Sequence, residues 1–434
     1  MKKKNAILDI CVIGFALFSM FFGAGNVIFP PYLGMAAGTQ WLIGFVCYYI
    51  ADIGLALLTL FAMLRHSGSE GIVEPLGKIP STILMTVIVL CIGPMLAIPR
   101  TAATTYEMSV QPIIQSFTDG NFAIVCSIVF FLITFLLTVR QSAVVDIIGK
   151  FLTPALVIGL LILIIKGIIS PLGPLSPNQQ VDSVSAMGIQ SGYQTMDVLA
   201  TMLFGVMILN SAEEKGYTTL KEKNKVSIGA GAVAGALLLI VYCGLAYLGG
   251  TVSTMYDTSI PRATLVSNIV YALMGKAGTI IFGIVVALAC LTTAIGLIST
   301  CAEFFTKLFN GKISYPILVT ILCVFSAVVS NVGLDKLVAI AAPLLDLVYP
   351  PTLVLVALSF FKNIPNLAHR LGAIAALAVS GVGAVCSVAG LEIPAFIKSL
   401  PLGEMGFAWL VPAVIFAVIG LVIGRALDSK KAIA

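Results

Sequence analysis

The residues best suited to chemistry crowd into one segment, Phe21-Phe22-Gly23-Ala24-Gly25-Asn26-Val27-Ile28-Phe29-Pro30-Pro31, in the middle of an apolar run. Pro30 and Pro31 have no N–H to give a helix, and Gly23 and Gly25 accept backbone angles that other residues avoid. A simple kink needs one proline, and a glycine by itself often serves close helix packing. Glycine, asparagine and proline together read instead as an interruption, at a depth where non-helical backbone survives only inside protein or beside a wet cavity. Such a break frees two sets of groups. The half-helix that follows, starting near Val27, offers N–H groups and a positive dipole end that suit a carboxylate. The half that precedes it ends in free carbonyls, which suit a cation or an ammonium group. A zwitterion such as an amino acid satisfies both ends at once.

Other polar residues stand inside apolar runs. Thr195, Asp197 and Thr201 lead to Phe204-Gly205, where a second break is expected near 204–205, with a glycine packing contact as the alternative. Ionisable groups within a span cost about 2.5–3.5 kcal/mol on insertion scales and are functional candidates by default. Asp52, Arg100 and Glu107 qualify, the last two lying two turns apart on one face; Asp146 and Lys150, at i,i+4, suit one another. Structural pairing is the first reading of all five. His66 and His369 fall in loops and show no metal-ligand spacing. The chain has no H-E-x-x-H, G-x-S-x-G or Walker A pattern, so nothing points to an enzyme.

These residues must be held by membrane helices. The 434 residues are 59% hydrophobic and only 10% charged, with a mean hydropathy of +1.09, the composition of a polytopic membrane protein. All nine cysteines lie in apolar runs and read as free thiols. Lys2-Lys3-Lys4 followed by an apolar run resembles a signal peptide. No small-residue cleavage pattern follows promptly, so the run reads as a retained first helix. Twelve apolar stretches are long enough to span: about 8–38, 40–64, 81–110, 121–139, 142–169, 192–212, 225–249, 277–308, 315–331, 334–361, 369–391 and 405–425. With the N-terminus inside, most Lys and Arg fall on the cytoplasmic side. Only Lys166, Arg262, Lys276, Lys336 and Lys398 fall outside, which places both termini in the cytoplasm. The net charge of +5 thus serves topology and asks for no nucleic acid. Residues 250–276, with Pro261 and an amphipathic stretch through Leu273, form either a short helix over the outer face or an ordered loop.

Features recur at an offset of five spans. Spans three and eight are both over-long, with Thr/Ser-rich stretches at 99–107 and 292–303, and Thr153-Pro154 in span five answers Ala342-Pro343 in span ten. Opposite directions at matching positions are what an inverted repeat requires. The expected fold is all-α: a first repeat over 8–169 broken near 23–26, a second over 192–361 broken near 204–205, and two further helices over 369–425.

FFGAGNVIFPP, AIPRTAATTYE and TTAIGLIST resemble the bacterial branched-chain amino acid carriers, the leucine, isoleucine and valine:cation symporters, over essentially the whole chain. The resemblance implies uptake of those three amino acids across the inner membrane, driven by a cation, usually Na+. It implies a five-plus-five inverted repeat with two trailing helices. Two short stretches, GAGN and ACLTT (289–293), resemble more distantly the sodium-coupled neurotransmitter and amino acid transporters. That likeness implies a substrate carboxylate on the N–H groups of Ala24, Gly25 and Asn26; apart from the likeness, Phe22 and Phe204, with Gly23 and Gly205 at the two breaks, are the residues expected beside the substrate. It implies sodium held by the carbonyls of Ser19, Phe22 and Ala289 and the hydroxyls of Thr292 and Thr293. Carbonyls and hydroxyls are the hard oxygen ligands such an ion prefers. Paired threonines also bond back to their own helix, and Asn26 serves either a second cation or the cap of its half-helix. A proton-coupled symporter of the same fold, using Asp52, Glu107 or Lys150, is the alternative.

Overall fold

In the computed structural model residues 5–66, 68–114, 120–139 and 153–433 are described, and their secondary structure is helical. The expectations placed on Asp146 and Lys150 lie outside these residues. The chain opens with α1 (Ala6–Phe21), whose N-cap Asn5 accepts the Leu8 N–H, and α2 (Ala24–Ala37). There follow α3 (Trp41–Tyr49), a π turn (Ile50–Gly54), α4 (Leu55–His66), α5 (Ser69–Val73) and α6 (Lys78–Leu90). A second π turn, Cys91–Met95, with non-helical Gly93 inside it, leads to α7 (Ala97–Thr105). Then come α8 (Gly120–Thr138), α9 (Thr153–Ile169), α10 (Val184–Thr195), α11 (Asp197–Glu214) and α12 (Leu220–Gly250). The chain continues through α13 (Arg262–Leu308), α14 (Tyr315–Ser330), α15 (Leu334–Ser359), α16 (Asn366–Ala389), α17 (Ala395–Lys398) and α18 (Leu410–Ile433).

Eight helical stretches among the described residues are long and apolar enough to cross a membrane, and four shorter apolar helices accompany them. With this composition the molecule is an all-helical polytopic membrane protein. Burial separates centre from edge: 72% of the most apolar 18-residue segment of Val184–Glu214 is buried, against only 33% and 22% of the corresponding segments of Asn366–Ala389 and Leu410–Ser429. The outer helices turn apolar side chains outward, as α8 does with Ile128, Leu132 and Leu136. Such faces belong against lipid.

Close backbone contact holds α2 in place. A Cβ on Gly34 would fall on the Ala246 carbonyl oxygen of α12, and one on Gly249 would fall on the Pro31 carbonyl of α2. Only glycine permits this crossing, which is the small-residue packing expected without a hydrophobic drive between helices. Residues from Arg262 onward are helical, which resolves the 250–276 connection. That helix bends at Gly275, φ +63° and ψ −164°, before entering the bundle as the rest of α13. His369 is not in a loop but buried within α16, with its ring against the Pro365 carbonyl at 3.4 Å.

Candidate substrate and cation site

The first break falls at Phe22–Gly23. Phe22 N–H still closes the helix onto Phe18 O at 2.7 Å, but Gly23 N–H turns to Phe21 O at 2.8 Å. The Ser19 carbonyl therefore loses the donor that a continuous helix would give it. Gly23 is extended (φ −109°, ψ −166°), and α2 begins at Ala24 with no side chain capping it. The second half-helix thus starts three residues earlier than Val27, because Pro30 and Pro31 are accommodated inside α2 instead of ending a turn. Ala24, Gly25 and Asn26 form its first turn, whose N–H groups have no partner within the helix.

The second break is not at 204–205. Phe204 and Gly205 lie within the unbroken α11, and the chain breaks instead at Met196, in the left-handed conformation (φ 70°, ψ 15°) between α10 and α11. Gly205 is a packing glycine: a Cβ there would come 2.5 Å from Met63 Sδ on α4. Met196 holds an angle that few side chains tolerate because its surroundings bind the loose ends. Arg100 Nη1 donates to Gln194 O at 2.7 Å and Nη2 to Thr195 O at 3.3 Å, so a guanidinium from α7 caps the carbonyl end of α10. Asp197 takes the first position of α11, where a carboxylate meets the positive helix end.

A polar network joins the two breaks. Asn26 Nδ2 donates to Asp197 Oδ2 at 2.9 Å and lies 2.6 Å from the Tyr242 hydroxyl. Thr195 Oγ1 donates to Asp52 Oδ1 at 2.8 Å, which ties Asp52 to the end of α10 beside Asp197. Asn26, Asp52, Arg100 and Asp197 are all buried. Arg100 and Glu107 do not meet: Glu107 accepts the Leu334 N–H at 3.0 Å, at the start of α15.

The oxygen-bearing residues of α1 and α13 also come together. Ser19 Oγ is 3.5 Å from Thr292 Oγ1, and Thr292 donates to Ala289 O at 2.8 Å. Thr292 therefore keeps the back-bond open to any helical threonine, while Thr293 does not. Its hydroxyl is buried with no hydrogen-bond partner and lies 3.3 Å from where a Cβ on Gly23 would stand. Phe22 is fully buried, stacked on Phe18 with centroids 5.5 Å apart and on Tyr242 at 6.1 Å.

Both helix ends open on one pocket. Gly23, Ala24, Asn26, Arg100, Thr195, Asp197, Phe204 and Thr293 line it, with Met20, Phe21, Ile92, Ala97, Ala200 and Leu297 as apolar wall. Its volume is about 20 Å3, room for little more than one water, so a larger guest requires the walls to part. Sequence reasoning placed Arg100 and Asp52 in structural pairs and gave Asp197 no role. Their charge was the visible signal, but their partners lie 94 to 171 residues away in the chain.

Two interrupted helices crossing at a polar pocket in a helical bundle define a secondary-transporter fold. A solved structure of MhsT in complex with L-phenylalanine shares that fold, with a TM-score of 0.60 at 15% identity over 95% of this chain and 98% of its own. The profile of the branched-chain amino acid transport protein family matches residues 6–427. The branched-chain amino acid permease BrnQ of Salmonella typhimurium is 36% identical over 96% of both chains, and permease BraB of Bacillus subtilis is 35% identical over 99% of both. The chain belongs to the branched-chain amino acid transport protein family. It is a transporter and not an enzyme.

Proposed function

We propose that the protein imports leucine, isoleucine and valine by symport with Na+. The observation that carries this reading is the pairing of uncapped α2 N–H groups with freed α1 carbonyls and Asp197 around one pocket. An α-amino acid places its carboxylate on Ala24, Gly25 and Asn26 and its ammonium toward the α1 carbonyls and Asp197. Its aliphatic side chain goes to the apolar wall, with Phe22 and Phe204 near it. Selectivity among the three amino acids then rests on packing, where one methylene is worth about 1–3 kcal/mol.

The cation is a co-substrate in this scheme. The Ser19, Phe22 and Ala289 carbonyls and the Thr292 and Thr293 hydroxyls form a set of hard, neutral oxygens. The buried, unpartnered Thr293 hydroxyl and the Ser19 carbonyl released at the break support that assignment. Transport by alternating access fits twelve spans arranged as two inverted five-span repeats, 8–169 and 192–361, with two trailing helices. Positive residues favour cytoplasmic termini in a bacterial inner membrane.

Uptake of labelled leucine into proteoliposomes, with competitors, tests the two-ended site. Isoleucine and valine should compete, whereas leucinamide and 4-methylpentanoate should not. Equal competition by either analogue would contradict a site that needs both charges.

A further inference from the structure

We propose that Arg100 is the charged ligand of the substrate carboxylate and sets the site's demand for a free acid. The inference rests on the proposed function, and it adds a cation where that reading uses backbone N–H groups alone.

Arg100 is 4% exposed, on α7, and lines the pocket. Of its five N–H donors the structure uses two, on Gln194 O and Thr195 O, and Nε is buried without a partner. No ion pair among the described residues includes it. A charge kept this deep without a carboxylate in contact is expensive and points to function.

Its position says which function. The guanidinium lies over the Phe29 ring, 5.8 Å from the centroid, and Nη2 stands 2.8 Å from the site of a Cβ on Gly25. Arg100 is thus pressed on the first turn of α2, the positive end of that helix. A cation there is repelled. The α10 carbonyls answer the charge from one side, and the carboxylate of buried Asp197 acts on it across the pocket without a direct ion pair. A carboxylate seated between the guanidinium and the N–H groups of Ala24, Gly25 and Asn26 answers it on the other and takes up unused donors. The planar fork of arginine suits a carboxylate's two oxygens, which lysine would meet only as a point charge. Gly25 is the residue that lets the guanidinium approach this closely.

A purely structural role, capping α10, makes a different prediction. The test is titration of the purified full-length carrier, at saturating sodium, with leucine and with leucinol, which lacks the carboxylate. The wild type should prefer leucine strongly. Arg100→Gln should weaken leucine by about 30- to 100-fold and leucinol by less than about threefold, so the preference collapses. Arg100→Lys should fall between. If Arg100 only caps α10, both ligands weaken alike and the ratio survives, which overturns the assignment while leaving the proposed function standing. Should Arg100→Gln not fold by size-exclusion chromatography, Arg100→Lys decides, and a wild-type leucine-to-leucinol ratio in that variant overturns it. A wild type that binds leucinol as tightly as leucine overturns the carboxylate site itself and this assignment with it.

Discussion

Replacing Gly25 with alanine adds one methyl group where Arg100 presses on the first turn of α2. Its carbon would stand 2.8 Å from Arg100 Nη2, 3.1 Å from Cζ and 3.1 Å from Phe29 Cε2. Non-bonded heavy atoms settle at about 3.5 Å or more, so the guanidinium must retreat by roughly 0.7 Å. Arg100 cannot do this freely, because Nη1 is held at 2.7 Å from Gln194 O and Nη2 at 3.3 Å from Thr195 O. Losing one charge-assisted bond costs about 1.5–3 kcal/mol. A displacement approaching 1 Å at a reacting or binding group is worth up to about 10²-fold. Gly25→Ala should therefore lower leucine affinity by roughly 10- to 100-fold and reduce thermal stability, and Gly25→Leu should abolish binding in a carrier that still inserts. Titration with leucine at saturating sodium, alongside a thermal unfolding scan, reads both effects. Wild-type leucine affinity in Gly25→Ala would contradict this crowding, since the methyl would then have found space that the structure does not provide.

Other perturbations follow from the same geometry. Thr292→Val with Thr293→Val keeps shape while removing two hydroxyls; apparent sodium affinity in uptake assays should fall by roughly a hundredfold, with leucine binding at saturating sodium affected less. Asn26→Ala strips a donor from Asp197 and the partner of the Tyr242 hydroxyl; stability should drop by about 1–3 kcal/mol, read by thermal unfolding. Gly249→Ala drives a methyl into the Pro31 carbonyl and should prevent correct packing of α2 on α12, seen as loss of monodisperse protein on size-exclusion chromatography. Arg262 lies 4.6 Å from the Tyr32 ring centroid and pairs with Asp335 at 2.7 Å, but neither member of that ion pair is buried. Arg262→Gln should change leucine KM by less than about threefold.

The first interruption could be read from local chemistry because Gly23, Gly25 and Asn26 stand together in an apolar run. Its phase was harder to place. The double proline suggested a late restart, but Pro30 and Pro31 fit inside α2, which begins at Ala24. The second interruption was hidden. Met196 carries no sign of a turn, and its left-handed angle is imposed by Arg100 on the carbonyls before it and Asp197 at the helix start after it. Gly205 drew attention as a breaker although its lack of a side chain serves only Met63. Charge at Asp52 and Arg100 was visible as cost and Asp197 only as a polar residue of its span, but which charges share a pocket is settled by packing between distant spans. The pairing of Ser19 with Thr292 and Thr293 became an expectation through family resemblance and not through spacing.

The most direct measurement of the coupled transport at the centre of this scheme is leucine uptake into proteoliposomes under one imposed gradient at a time. An inward sodium gradient without a pH difference should accumulate leucine above equilibrium. A proton gradient in sodium-free buffer should not. Accumulation on the proton gradient with sodium absent would contradict the cation site assigned to Ser19, Phe22, Ala289, Thr292 and Thr293.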